Sequence, residues 1–231
     1  MPEALGNNAA FGRPSEIYYP GSTEDREYVI PGQREDDMGE TSIHVKLVHR
    51  FLQMLLYFFE SREDSFVSAN MNLYYDEATP TRWIAPDILV AFGAGNHERS
   101  SYQVWKENVA PQVIFEVSSE RTWKVDISEK LETYGALGVE EYYILDPEFE
   151  FLPAPMLAFH NQGGRLLTVA VNDDKISSPR LGLDIVRTGN NFRLFDSKKG
   201  EFLLTISESE AKRREEVEDL NAEIARLRAQ R

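Results

Sequence analysis

The sequence predicts an α/β fold: a mixed sheet flanked by helices, continued by an antiparallel β appendage and closed by a short terminal helix. Three observations carry this expectation. An apolar period near 3.6 over residues 41–60 changes abruptly to strict alternation over 67–75. Two short, densely apolar runs follow, at 88–92 and 113–117, and a second helical pattern separates the latter from another apolar run at 142–145. Beyond Pro155 the chain breaks into four short strand-like runs, with Gly163-Gly164 reading as the turn between the first two.

Taken in order, residues 1–38 are polar and acidic, interrupted by Pro14, Pro20 and Pro31, and are expected to form an extended N-terminal arm. Tyr18, Tyr19, Tyr28, Val29 and Ile30 are the side chains that would anchor it. Residues 39–206 form the expected main domain, with the β appendage starting at about 155, and 207–231 the terminal helix. Within the domain, Ile43, Leu47, Val48, Phe51, Leu55, Phe58 and Phe59 make one helical stripe, with Thr41 or Ser42 as its cap. Val67, Ala69, Met71, Leu73 and Tyr75 alternate with polar neighbours, as on a strand with one buried face. The runs at 88–92 and 113–117 read as central strands covered on both faces. Ile127, Leu131, Tyr134 and Leu137 stripe a helix over 126–137, and Gly138 is its C-cap candidate. The strand at 142–145 is stopped by Asp146-Pro147, and the appendage strands fall at 156–160, 165–171, 182–186 and 192–195.

The terminal helix carries Val217, Leu220, Ile224 and Leu227 at 3, 4, 3 spacing, an a/d seam of about two heptads flanked by charges of both signs. Such a helix is marginal alone in water and needs a surface. A second copy of the chain, giving a homodimer, competes for that seam with the chain's own β appendage.

Composition narrows the function. The 231 residues suffice for one domain with a sizeable core, and no apolar run of membrane-spanning length occurs. The first residues lack the basic and apolar segments of a secretory signal, and with no cysteine there are neither disulfides nor thiolate metal sites. The expected location is cytoplasmic. A net charge of −14 opposes avid binding to bulk nucleic acid unless the basic residues cluster or a metal cation reverses the local field.

The chemistry is concentrated in two apolar strands. Glu116 sits inside VIFEVS, sharing a strand face with Ile114 and Ser118. A lone buried carboxylate there is costly, so a metal ion, a basic partner or exposure at the strand end must relieve it. Asp87 opens the PDILVAF run; by itself, Pro-Asp ahead of a strand is also ordinary turn chemistry. Two strand-borne carboxylates are hard oxygen ligands suited to Mg²⁺ or Mn²⁺ against a phosphodiester. Lys130, on the following helix, is placed either to act on that phosphodiester or to pair with Asp126 four residues earlier.

Pro86-Asp87, Glu116-Val117-Ser118, Asp126, Lys130, Tyr134, Gly138-Val139, Glu141-Tyr142 and Asp146-Pro147 form a long co-linear pattern. In it the chain resembles, from about Met38 to Pro147, an endonuclease family abundant in cyanobacteria that belongs to the PD-(D/E)xK nuclease superfamily. The resemblance implies a restriction-endonuclease-like fold. It also implies that Asp87, Glu116 and the Val117 backbone carbonyl hold the metal, and that Asp87, Glu116 and Lys130 form the catalytic set. The superfamily's lysine normally stands two residues after the glutamate; that place here is Ser118, and the family's displaced lysine maps to Lys130. Glu40 matches an additional acid near the metal, while its other reading is an N-terminal acid favoured by the helix dipole. The loop after the glutamate, which usually reads serine, proline, serine, threonine, is here Ser118-Ser119-Glu120-Arg121-Thr122-Trp123-Lys124. Lys124 is the fallback basic residue, and Trp123 either stacks on a base or packs over the helix start.

The expected function is therefore Mg²⁺- or Mn²⁺-dependent hydrolysis of DNA phosphodiester bonds. The alternatives are a catalytically silent interaction module of the same fold, assembling through its terminal helix, and a nucleic-acid-binding regulator without turnover.

Overall fold

A computed structural model describes residues 40–230, so the expected N-terminal arm lies outside the described residues. Helix α1 (Ser42–Phe58) begins at Thr41, whose side chain accepts the His44 amide N–H, and buries His44, Leu47, Val48, Phe51, Met54 and Leu55. Strand β1 (Ser65–Ala69) ends at Asn70, which takes φ +51°, before β2 (Leu73–Tyr74). The alternation over 67–75 thus belongs to two strands in different sheets, because a left-handed residue between them turns the chain.

After β3 (Trp83–Ile84) come β4 (Ile88–Phe92), β5 (Tyr102–Gln103), the short α2 (Val104–Glu107) and β6 (Val113–Val117). The helix expected over 126–137 is two pieces, α3 (Trp123–Asp126) and α4 (Glu129–Leu137), broken where Ser128 leaves helical geometry at φ −127°, ψ −88°. Gly138 takes φ +90° and ends α4, as its C-cap role requires. Strand β7 (Glu141–Leu145) follows.

The main sheet runs β1-β4-β6-β7-β8-β9, where β8 is Met156–Gln162 and β9 is Arg165–Val169. Only the β6–β7 pair is parallel in it. The first two strands beyond Pro155 therefore extend this sheet. The C-terminal antiparallel sheet is built from β10 (Lys175–Ser178), β11 (Leu183–Thr188), β12 (Asn191–Asp196) and β13 (Glu201–Phe202). Two of these, β10 and β13, carry no apolar alternation strong enough to mark them in sequence. Helix α5 (Ile206–Ala229) closes the chain behind a capping box between Thr205 and Glu208.

The strand period of two divides the core. Ile88, Val90, Phe115 and Tyr143 face α1, with Phe51 and Phe115 rings 5.5 Å apart. Leu89, Ile114, Tyr142 and Ile144 face α4, where Tyr134 and Tyr142 rings lie 5.2 Å apart. Gly135 lets α4 approach β9 closely: a Cβ there would stand 3.1 Å from the Gly164 carbonyl oxygen and 3.2 Å from the Leu166 nitrogen. That approach holds α4, and hence Lys130, against the sheet.

Candidate active site

Strands β4 and β6 pair antiparallel with Ile88 opposite Phe115 and Leu89 opposite Ile114. One step further along the same register, Asp87 stands opposite Glu116. Both belong to the parity of Leu89 and Ile114, which is the α4 face. Asp87 is 7% and Glu116 1% exposed, so two carboxylates face each other in a buried place. Like charges directly opposite on a sheet are destabilising, and burial magnifies the effect.

The backbone and α4 answer part of that cost. The Val117 amide donates to Asp87 Oδ2 at 2.7 Å, and the Asp87 amide donates to Glu116 Oε2 at 3.4 Å. The Tyr134 hydroxyl donates to Glu116 Oε1 at 2.7 Å. Lys130 Nζ lies 2.8 Å from Glu116 Oε2 and also 2.8 Å from Asp126 Oδ1. This lysine thus makes the i,i+4 pair with Asp126, across the break between α3 and α4, and also reaches the strand-borne glutamate. Ser118, where the superfamily's lysine usually stands, is buried and donates from Oγ to Asp126 Oδ2 at 3.3 Å.

From α1, His44 Nε2 lies 3.2 Å from Asp87 Oδ1 and 3.5 Å from Glu40 Oε2. Glu40 thus reaches the site from just before the helix. Lys124 does not: it is exposed, with its ammonium 5.4 Å from the centre of the neighbouring Trp123 ring. His44 was missed in the sequence, although a histidine on an apolar stripe four residues after an acid is a legible i,i+4 signal. Tyr134, expected on the helix stripe and within the co-linear pattern, was given no role at the site.

Among the described residues the site gathers more carboxylates than cations. Glu40, Asp87, Glu116 and Asp126 converge on one lysine and one histidine. Burial pushes the Glu116 carboxyl up to about 8; Lys130 opposes this, and the charges of Asp87 and Asp126 add to it. Asp126 is raised too, first by burial, against the pull of Lys130. Burial alone would lower Lys130, but Glu116 and Asp126 outweigh it and hold the ammonium charged. His44 is likewise raised: burial lowers it, and the hydrogen bond and charge of Asp87 with that of Glu40 more than compensate. Carboxylates gathered this closely are hard oxygen donors of the kind a divalent cation fits.

Other residues of the sequence pattern have architectural work. Asp146 is fully buried and accepts backbone N–H groups of Glu148, Phe149, Phe151 and Leu152 at 2.7–3.1 Å. Glu141 accepts from the Tyr143 hydroxyl, the Ser178 hydroxyl and the Arg180 amide, tying β7 to the C-terminal sheet.

Fold and site define an α/β protein with a lysine-paired, carboxylate-lined centre at the end of its central strands. Over residues 16–184 the chain matches the Uma2 family, described as "Putative restriction endonuclease", and it belongs to that family. It is also similar to the crystal structure of a "putative nuclease belonging to DUF820" from Anabaena variabilis, at a TM-score of 0.47 and 11% sequence identity, over 62% of this chain and 75% of that one. A search of curated proteins finds no match.

Proposed function

We propose that this chain is a divalent-metal-dependent endonuclease that hydrolyses DNA phosphodiester bonds. The observation that carries the reading is the Asp87–Glu116 pair opposed across β4–β6 with Lys130 Nζ 2.8 Å from Glu116. Asp87, Glu116 and the Val117 carbonyl would hold Mg²⁺ or Mn²⁺, with Glu40 as an additional acid. The bound cation would acidify water and polarise the phosphoryl oxygen. Lys130, charged and fixed between two carboxylates, orients the attacking water and balances the negative charge that gathers on the phosphoryl group. The water oxygen bonds to phosphorus, the bond to the leaving oxygen breaks, and that oxygen departs with a proton. Tyr134 and the Asp87 amide hold Glu116 in one rotamer throughout. The reading places the enzyme in the cytoplasm, in keeping with a chain free of cysteine; among the described residues no helix is long and apolar enough to cross a membrane.

Incubation of supercoiled plasmid with the full chain and Mg²⁺ or Mn²⁺ tests the reading. Nicked and linear products should form with wild type and vanish with Glu116→Gln. Intact plasmid and intact single strands with wild type, under both metals, would remove the endonuclease.

The same enzyme is proposed to work as a homodimer through α5. Val217 and Ile224 occupy a positions and Leu220 and Leu227 d positions, the β-branched-a, leucine-d choice that favours two parallel strands. Glu223 at g then faces Arg228 at e of the partner helix, an attractive pair in the parallel register. The four apolar side chains are 44–62% exposed, so the chain's own β appendage does not cover them.

A further inference from the structure

We propose that His44 is a nitrogen ligand of the catalytic cation and makes the site prefer Mn²⁺ to Mg²⁺. The inference rests on the metal-dependent reading above and deepens it. His44 is 4% exposed although it springs from the first turn of α1, and its ring is turned inward to the end of β4. Its Nε2 faces two carboxylate oxygens, Asp87 Oδ1 at 3.2 Å and Glu40 Oε2 at 3.5 Å. One donor atom from each of Glu40, His44 and Asp87 lies within 4.8 Å of the others. Donors about 2.1 Å from a six-coordinate cation are spaced about 3 Å along an edge, and the two His44 separations approach that value.

His44 Nε2 stands between one buried carboxylate and one that is 47% exposed. One N–H satisfies one acceptor well, and a single ring nitrogen is set against two. A cation among the three serves all of them.

The division of labour around Asp87 points the same way. Its Oδ2 takes the Val117 amide, leaving Oδ1 to the histidine side. Glu116 Oε2 accepts from Lys130 and the Asp87 amide, while Oε1 accepts from Tyr134 alone and keeps a lone pair for the same cation. Asp87 Oδ1 and Glu40, on either side of His44 Nε2, complete the group of donor atoms that a cation would draw together. Both ions suit carboxylates, but Mg²⁺ is bound almost wholly by oxygen and water while Mn²⁺, a transition ion, accepts a nitrogen donor more readily, so a buried imidazole in the set favours Mn²⁺ over Mg²⁺.

The test uses the full chain stripped of metal with a chelator and titrated with Mn²⁺ or Mg²⁺ alone. Pulsed electron paramagnetic resonance of bound Mn²⁺ should show coupling to an imidazole ¹⁴N nucleus. In His44→Gln, verified as folded by its melting curve, that coupling should vanish. Mn²⁺ affinity measured by calorimetry should fall about ten-fold or more, since even losing a residue that merely supports a ligand costs that much. Mg²⁺ affinity should fall less. Bound Mn²⁺ without nitrogen coupling in wild type overturns the proposal, and that outcome needs no variant to fold. Coupling or Mn²⁺ affinity unchanged in His44→Gln overturns it as well. Plasmid cleavage measured alongside keeps the two readings apart. Nitrogen coupling without cleavage removes the endonuclease and leaves the His44 ligand standing, and cleavage without nitrogen coupling does the reverse.

Discussion

Lys130, on α4, reaches across to Glu116, on β6, at 2.8 Å, while keeping Asp126, at the end of α3, at the same distance. A lysine shared by two buried carboxylates cannot be removed without leaving both uncompensated. The ion pair ties helix to strand as well as serving the proposed chemistry, and the two roles are separable by experiment.

Lys130→Ala should abolish plasmid cleavage yet retain Mn²⁺ binding, because the lysine acts on water and developing charge. It should also cost about 3–5 kcal/mol of stability, as breaking a buried pair does. The loss should be larger at pH 8.5 than at pH 5.5, where protons can neutralise the stranded carboxylates. Urea unfolding at both pH values with a calorimetric Mn²⁺ titration measures these effects. Loss of metal binding in a folded variant would contradict the assigned role.

Metal-free protein should lose stability as pH rises from about 5 to about 8. The Glu116 carboxyl, ordinarily at 4.5, lies at about 8 in the folded chain, chiefly through burial. The native state then binds a proton that the unfolded state releases, so stability is full below the unfolded value and lost as pH climbs through the folded one. The slope from this group reaches about 1.4 kcal/mol per pH unit. Asp126 and His44, both raised, act in the same direction. Thermal melts across this range should decline, flatten in Glu116→Gln, and recover at high pH when Mn²⁺ is added. A rise with pH in wild type would refute this account of the site's charge.

Asp146→Ala should destabilise the fold by about 4 kcal/mol, since four backbone N–H groups lose a buried charged acceptor. The folded fraction should still bind Mn²⁺, because Asp146 organises the loop after β7. Chemical denaturation paired with metal titration checks this.

Removal of the residues after Ser207 should halve the mass measured by light scattering. Leu220→Lys with Ile224→Lys should do the same in the full chain, because both side chains are exposed on one stripe of α5. A full-length monomer would end the dimer reading.

The helix–strand alternation, the core stripes, Gly138 and the two buried carboxylates are local matters, written in periodicity and in a charge set within an apolar run. The sequence by itself therefore determined an α/β chain with carboxylates in its apolar strands, and its resemblance to the endonuclease family singled out Asp87, Glu116 and Lys130. It did not separate β2 from β1, because alternation is the same on either side of a left-handed residue such as Asn70. Nor did it assign β8 and β9 to the main sheet, because pairing partners are non-local. Only the tertiary structure decided that one step of the β4–β6 register sets Asp87 opposite Glu116, that α4 lies near enough for Lys130 and Tyr134 to reach the pair, and that α1 delivers His44 and Glu40 to Asp87. Periodicity states which face a residue takes along its own element; which residues of separate elements meet depends on register and packing between them, and those exist only in the folded chain.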